Sequence, residues 1–158
     1  MIQKLSDLSK NLTKSQKFYL LYGSNTGQIE ETINNILKPK LSKNIYNYDE
    51  SEITTNINEF EEKILNRSFF DDDKLIIISR GSDKILSVIE SLVSKKISET
   101  IIIIKTNILE KKSKLRNFFE KNKETICIPF YEDNYQSSLL IAQNFFSKNK
   151  INISIQNI

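Results

Sequence analysis

The chain has 158 residues and a mass of 18.4 kDa, a size typical of a single domain with one core. Its net charge of +3 is too small to indicate binding to nucleic acid or membranes by itself. Because the sequence contains no histidine and one cysteine, it excludes Ser-His-Asp and Cys-His nucleophile systems, zinc sites of the usual His/Cys kind and an internal disulfide.

Five short apolar runs predict five β-strands, at residues 18–22, 45–48, 75–78, 101–104 and 126–130. The segments between them carry apolar residues at helical spacing. These residues are Ile29, Ile33, Ile36 and Leu37; Ile53, Ile57, Phe60, Ile64 and Leu65; Ile85, Val88, Ile89 and Leu92; and Leu115, Phe118 and Phe119. The alternation predicts an α/β fold, a doubly wound, Rossmann-like parallel sheet of about five strands flanked by helices.

The pattern changes after Phe130. Residues 131–134 are polar, and Leu139, Leu140 and Phe146 then predict one more helix that runs to about Lys148. This last part of the chain has no evident packing partner in the sheet.

The first strand is followed by a glycine-containing turn in the position of a phosphate-binding loop. A Walker A loop reads G-x-x-x-x-G-K-[ST], because glycines let the backbone wrap phosphates, lysine neutralises charge and the hydroxyl holds Mg²⁺. Here Gly23 and Gly27 are separated by three residues, and Gln28 and Ile29 stand at the Lys and Ser/Thr positions. The third strand also leads into Ser79 and Arg80 rather than into an acid. We therefore interpret the turn as structural and expect no nucleotide cofactor.

An acidic run, Asp71-Asp72-Asp73, could be read as a metal-binding or phospho-acceptor cluster. Acids of receiver-type folds lie at the carboxyl ends of strands, whereas this run precedes its strand. A solvated turn into Lys74 is the favoured interpretation, and no metal site is expected.

Two adjacent aromatic residues, Phe69 and Phe70, follow Ser68 at the end of a helical segment. Neighbouring residues on a helix point about 100° apart, so both rings enter one core only if the chain bends there. Burial in the core and exposure as an anchor for a partner's pocket both remain open on the pattern alone.

Charge is distributed unevenly along the chain. Residues 49–73 contain nine acids and two bases, whereas residues 105–123 contain seven bases and two acids. Within the second segment, Lys111, Lys112, Lys114 and Arg116 are candidates for contact with DNA or a partner, and a solvated helix face is the alternative.

The remaining signals are simpler. Cys127 lies in an apolar strand, where a buried thiol that acts as a small hydrophobic group is expected. The sequence begins without the apolar stretch of a signal peptide and contains no apolar run long enough to cross a bilayer. A soluble, cytoplasmic protein is the expectation.

Several segments in order resemble the delta subunit of bacterial DNA polymerase III, a component of the sliding-clamp loader. They are the opening strand and turn at residues 18–23, Ser68-Phe69-Phe70 followed by residues 74–78, and the blocks at 109–116, 119–121 and 130–133. Residues 109–133 are similar to the alphaproteobacterial branch of that family.

The resemblance implies a first domain of AAA+ type without a working nucleotide site, which agrees with the interpretation of the Gly23 turn. It also implies that Ser68, Phe69 and Phe70 bind the beta sliding clamp and help to open it, with Phe69 in the place of the family's usual Leu. Residues 1–133 would form this clamp-binding domain, and residues 134–158 would be the opening helix and tail of an incomplete second domain.

The leading hypothesis is therefore a DNA-replication protein, a delta-like subunit of the DNA-directed DNA polymerase holoenzyme with no intrinsic activity. Its implied partners are the beta clamp, the other clamp-loader subunits and, through the loader, DNA. The alternative is a small P-loop-like nucleotide-binding enzyme with an atypical loop. A third hypothesis is a Rossmann-like interaction domain unrelated to replication.

Overall fold

A computed structural model describes residues 2, 8, 15–41, 44–65, 73–133 and 135–151. All described strands are parallel. They are β1 (Phe18–Gly23), β2 (Asn44–Asp49), β3 (Lys74–Ser79), β4 (Thr100–Thr106) and β5 (Thr125–Phe130). Their order in the sheet is β2-β3-β4-β1-β5. The predicted five-stranded parallel sheet is confirmed.

Seven α-helices connect or follow the described strands. They are α1 (Thr26–Thr32), α2 (Lys38–Leu41), α3 (Glu50–Thr55), α4 (Ile57–Leu65), α5 (Leu86–Ser94), α6 (Lys114–Lys121) and α7 (Tyr135–Lys148). A π-helical turn (Ile33–Leu37) joins α1 to α2, and a 3₁₀ turn (Asp83–Ile85) leads into α5. The helices predicted after β3, β4 and β5 are all present.

The strands β1, β3, β4 and β5 are almost continuously apolar and largely buried, whereas the edge strand β2 is partly exposed. On one face, α1, the π-helical turn and α2 contribute Ile29, Ile33, Leu37 and Leu41 to one core cluster. On the other face, α3 to α6 contribute to a second cluster with residues such as Leu115 and Phe119. Helices therefore cover both sides of a parallel sheet, as its hydrophobic strands require.

The π-helical turn lies directly before Pro39. Lys38 N–H donates to the carbonyl of Ile33, five residues back, so the helix is widened at this point. A proline has no N–H to donate, and its ring clashes with the carbonyl four residues earlier in a regular α-helix. The wider turn lets the chain pass Pro39 without ending the helix.

The apolar stripe predicted across residues 53–65 is divided between two helices. Asn56 has φ −133° and ψ 57°, and its N–H donates to the carbonyl of Ile53 to close α3. The break rotates the following residues, so Phe60 and Ile64 are buried while Ile57 and Leu65 remain 36% and 40% exposed. The prediction that all five apolar residues of the stripe share one helix was wrong.

The expectation of a buried Cys127 is confirmed. Cys127 is fully buried, and burial raises the pKa of its thiol to about 12. None of the helices within the described residues is both long and apolar enough to span a membrane.

Candidate functional site

The turn after β1 depends on a glycine for its conformation. Gly23 has φ 148°, and a Cβ at this position would lie 1.8 Å from the carbonyl oxygen of Phe130 in β5. An L-residue rarely adopts this φ, and no side chain fits against the neighbouring backbone. Gly23 therefore allows the backbones of β1 and β5 to approach each other closely.

The backbone N–H groups of this turn donate to oxygen atoms of the protein itself. Gly23 N donates to Asn107 O at 3.2 Å, Asn25 N to Phe130 O at 3.4 Å, and Thr26 N to Ser24 O at 3.0 Å. A phosphate loop works by pointing such N–H groups at the phosphates. Here the Gly23 and Asn25 donors instead join the end of β1 to the residue after β4 and to the end of β5, and the Thr26 donor closes the turn on itself.

Asn25 completes the turn by capping α1. Its Oδ1 accepts from Gln28 N at 3.1 Å, and its Nδ2 donates to Asp133 Oδ2 at 2.7 Å. Ile29, at the position of the Walker Ser/Thr, is buried in the core. Gly23, Gly27, Gln28 and Ile29 thus form a strand-to-helix connection without the Lys and hydroxyl of an NTPase.

The neighbouring strands present cations at their carboxyl ends. Arg80 follows β3 in a left-handed conformation, φ 60°, and its Nη2 lies 2.5 Å from Asp49 Oδ2 at the end of β2. Lys105, near the end of β4, pairs with Glu30 of α1. A shallow cleft of about 220 Å³ lies between these groups. An NTPase would place an acid for Mg²⁺ here, whereas this edge holds two ion pairs.

Carboxylates tie the loops of this edge together through backbone donors. Glu50, which is buried, accepts from Ser82 N at 2.6 Å and from Ser82 Oγ at 2.8 Å. Asp83 accepts from Leu115 N at 2.9 Å, Ser113 Oγ at 2.7 Å and Lys114 N at 3.1 Å. These bonds hold the pKa of Asp83 below its usual range, the Leu115 N–H contributing most. Sequence reasoning missed both carboxylates, because their partners are distant in the chain.

The four basic residues predicted to contact DNA or a partner have different environments. Arg116 donates from Nε to Glu120 at 2.7 Å and from Nη1 to Leu109 O at 3.0 Å, and its guanidinium lies 5.0 Å from the centre of the Tyr22 ring. Arg116 therefore holds the loop before α6 against the core. The side chains of Lys111, Lys112 and Lys114 are exposed, and Lys112 pairs at the surface with Glu110.

Tyr22 lies beneath Arg116 at the end of β1. Its hydroxyl is buried and has no hydrogen-bond partner within the described part of the chain. Burial raises the pKa of Tyr22 well above its ordinary value, so the phenol is neutral. The contact with Arg116 is a cation–π interaction. The ring of Tyr22 therefore has a charged neighbour, although its hydroxyl has no hydrogen-bond partner within the described residues.

The predicted clamp anchor, Ser68, Phe69 and Phe70, lies outside the described residues, as do Asp71 and Asp72. The chain is described up to Leu65, where α4 ends, and again from Asp73, directly before β3. Asp73 is thus at the amino end of its strand, as predicted. Among the described residues, no group of three or more His, Cys, Asp or Glu side chains is arranged to hold a metal ion.

Comparison with known proteins adds a second line of observation. The sequence matches the family described as DNA polymerase III, delta subunit, over residues 19–129. The chain belongs to this family. The matched range begins in β1 and ends in β5, so it covers the whole sheet together with the degenerate loop and α6.

Two solved structures have a similar fold. The Bacillus subtilis DNA clamp loader delta protein superposes with a TM-score of 0.65 at 18% identity, over 96% of this chain and 49% of its own. A DNA polymerase III gamma subunit-related protein from Thermotoga maritima gives a TM-score of 0.53 at 9% identity, over 92% of this chain and 52% of its own. The chain thus spans about half the length of both proteins. No curated protein sequence matches it.

Proposed function

We propose that this delta-family chain acts in DNA replication as the clamp-binding part of a DNA polymerase III clamp loader. It binds the beta sliding clamp and helps to open it, and it does not hydrolyse ATP. The observation that carries the proposal is the family match across residues 19–129. The hydrogen bonding of the turn supports the absence of ATP hydrolysis, because the N–H groups of Gly23, Asn25 and Thr26 donate to carbonyl oxygens of the protein.

Ser68, Phe69 and Phe70 are proposed as the clamp anchor. The helix that leads to them, α4, is fixed to the core by Phe60 and Ile64, while Leu65 at its last turn is 40% exposed. The helix that precedes the proposed anchor in the sequence is therefore well packed and exposes apolar surface in its last turn. Full burial of two phenylalanine side chains in a partner pocket contributes about 3 kcal/mol or more.

Clamp opening needs no chemistry in this mechanism. An anchor that binds the opened ring more tightly than the closed ring shifts the population towards the opened form by that difference in affinity. The packing of α4 against the core favours this role, because the helix that leads to the proposed anchor is itself fixed.

The wider assembly follows from the same family membership. We propose residues 1–133 as the clamp-binding domain and residues 134–158 as the start of a second domain, since α7 leaves Leu140, Ile141 and Phe145 exposed. Other loader subunits and, through them, DNA are the proposed further partners. Lys111, Lys112 and Lys114 remain available for such contacts, whereas Arg116 is engaged within the domain.

Clamp binding can be measured by surface plasmon resonance with the cognate beta clamp immobilised. Replacing both aromatic residues, Phe69→Ala with Phe70→Ala, is expected to weaken binding by about 100-fold, the equivalent of about 3 kcal/mol. Phe145→Ala removes an aromatic residue of α7 that is 58% exposed and serves as the matched control, with no change expected. Unchanged affinity in a folded double variant would contradict the anchor assignment.

Nucleotide binding separates this proposal from the P-loop-like alternative. Calorimetric titration of the chain with ATP and Mg²⁺ is expected to give no binding heat. Tight saturable binding would instead favour the atypical nucleotide-binding enzyme, whatever the clamp result.

A further inference from the structure

Helices α5 and α6 leave a groove between them that clamp binding through residues 68–70 does not use. The groove is wide and shallow, with a volume of about 500 Å³ open to solvent, and it is lined by side chains of α5, of α6 and of Asn122, which follows α6. All of its lining residues lie in the described part of the chain. Of its lining residues, the function proposed above gives a role to Lys114 alone, as a contact for other loader subunits or DNA.

The floor of the groove is apolar. Leu86 and Phe118 are half-buried and pack against the core cluster beneath α5 and α6. The ring of Phe118 is held edge-to-face against Phe119, with ring centres 5.9 Å apart. The remaining exposed surface of these two side chains can pack against an apolar group of a partner.

The rim of the groove is mainly basic. Lys114 and Lys121 are exposed and lie seven residues apart on α6, which places them on the same face of the helix. Within the described residues, no ion pair engages either ammonium group. Glu90 on α5 is the acid among the lining residues, so two cations face one carboxylate across the apolar floor.

The groove is also tied together at one end. Asp83 belongs to the 3₁₀ turn that runs directly into α5, and its carboxylate accepts from Lys114 N and Leu115 N in the first turn of α6. The starts of the two helices are therefore linked by charged hydrogen bonds. A ligand that enters a preformed groove loses less free energy to ordering than one that must create it.

We propose that this groove docks an acidic segment of a partner protein that carries a large apolar side chain. The apolar side chain packs on Leu86 and Phe118, and carboxylates on either side of it pair with Lys114 and Lys121. A protein segment fits better than nucleic acid, because the apolar floor suits a large apolar side chain, which a phosphodiester backbone does not carry. This inference does not depend on clamp binding.

The test is fluorescence anisotropy with the 158-residue chain and a fluorescein-labelled peptide of Asp and Glu residues around a central Leu-Leu pair. Saturable binding is expected, and Lys114→Glu with Lys121→Glu should weaken it by at least about 10-fold, since both carboxylate contacts become repulsive. The matched control, Lys96→Glu with Lys123→Glu, changes the same net charge at exposed positions outside the groove and should weaken it by less than about 2-fold. Thermal unfolding checks that both variants are folded.

Three results would overturn the proposal. The first is no saturable binding of the peptide, and the second is an equal loss in the groove variant and the control. The third is that the peptide does not bind, while a DNA oligonucleotide binds the unmodified chain and not Lys114→Glu with Lys121→Glu. The groove would then be a surface that binds phosphodiesters. Because clamp affinity is measured separately, failure here leaves the anchor proposal untouched.

Discussion

Replacing Gly23 with alanine would place a methyl group against the backbone of the neighbouring strand. The new Cβ would lie 1.8 Å from Phe130 O and 2.6 Å from Phe130 C, far inside van der Waals contact. The backbone is the obstacle, so no side-chain rotation relieves the overlap. Either β1 and β5 must separate at this end, or the turn must change its conformation.

The cost of this substitution has two parts. An alanine at φ 148° is strained by about 1–3 kcal/mol. Separation of the strand ends also breaks hydrogen bonds such as Asn25 N to Phe130 O, at about 1 kcal/mol each, together with local packing. A total of about 4 kcal/mol or more is expected, which is a large share of the roughly 5–15 kcal/mol that stabilises a typical domain.

The second glycine of the same turn provides the matched control. At Gly27 a Cβ would have its nearest contact, Asn25 Oδ1, at 3.9 Å, and the residue lies inside α1. Gly27→Ala is therefore expected to stabilise the domain by about 0.5 kcal/mol, because alanine is the better helix former. Urea denaturation followed by circular dichroism measures the free energy of unfolding of both variants.

The reasoning fails if the free energy of unfolding of Gly23→Ala lies within about 1 kcal/mol of that of the unmodified chain. That outcome would mean that β1 and β5 do not approach as described. If Gly27→Ala were as damaging as Gly23→Ala, the turn would need glycine at both positions for a reason that the local geometry does not contain.

Two further predictions concern Asp83. Asp83→Ala removes the acceptor of Ser113 Oγ, Lys114 N and Leu115 N, so the free energy of unfolding should fall by about 1–2 kcal/mol, as for loss of a helix cap. Glu132→Ala, at an exposed position, is the control and should change the free energy of unfolding little. Equal effects of the two substitutions would show that the cap is not stabilising. Hydrogen bonds, chiefly from Leu115 N–H and then from Ser113, lower the pKa of Asp83 below its ordinary 3.8. The contribution of Asp83 to the free energy of unfolding is therefore complete above that pH, and it is lost as the pH falls through the lower pKa of the folded state. Urea denaturation from about pH 7 down to about pH 2 should therefore show a smaller acid loss of stability in Asp83→Asn, and an identical loss would contradict the assignment.

The sheet could be predicted from the sequence because its strands are nearly continuous runs of isoleucine, leucine and aromatic residues. Runs of this kind are typical of strands covered on both faces, and the helical stripes between them required crossover connections. The order of the strands was not predicted. Order depends on which strand edges meet in three dimensions, and the local pattern carries no information on that.

The helical details show where local patterns mislead. Residues 53, 57, 60 and 64 have the spacing of one continuous helix, and only the backbone of Asn56 reveals the break between α3 and α4. The π-helical turn before Pro39 was likewise not predicted, although a proline inside a helical stripe is a signal that could have indicated it.

The turn from β1 to α1 could be predicted from the sequence, and the missing Lys and Ser/Thr of its loop are visible there as well. The carboxylates around it were not predicted. Glu50 and Asp83 bind partners about thirty residues away, at Ser82 and at Ser113 to Leu115, and no short motif records such pairings. The role of Arg116 was missed for the same reason, since Tyr22 is distant in sequence.

The position of β1 in the sheet has a consequence for how the protein folds during synthesis. β2, β3 and β4 pair in the order in which they are made, whereas β1 pairs with β4 and β5, through contacts such as Phe18 with Ile102 and Thr125. Long-range pairings of this kind form late, because a long loop must close before they are gained. β1 is therefore made before both of its partners and is among the last of the described strands to be paired, so its apolar edges need protection until residue 130 has emerged.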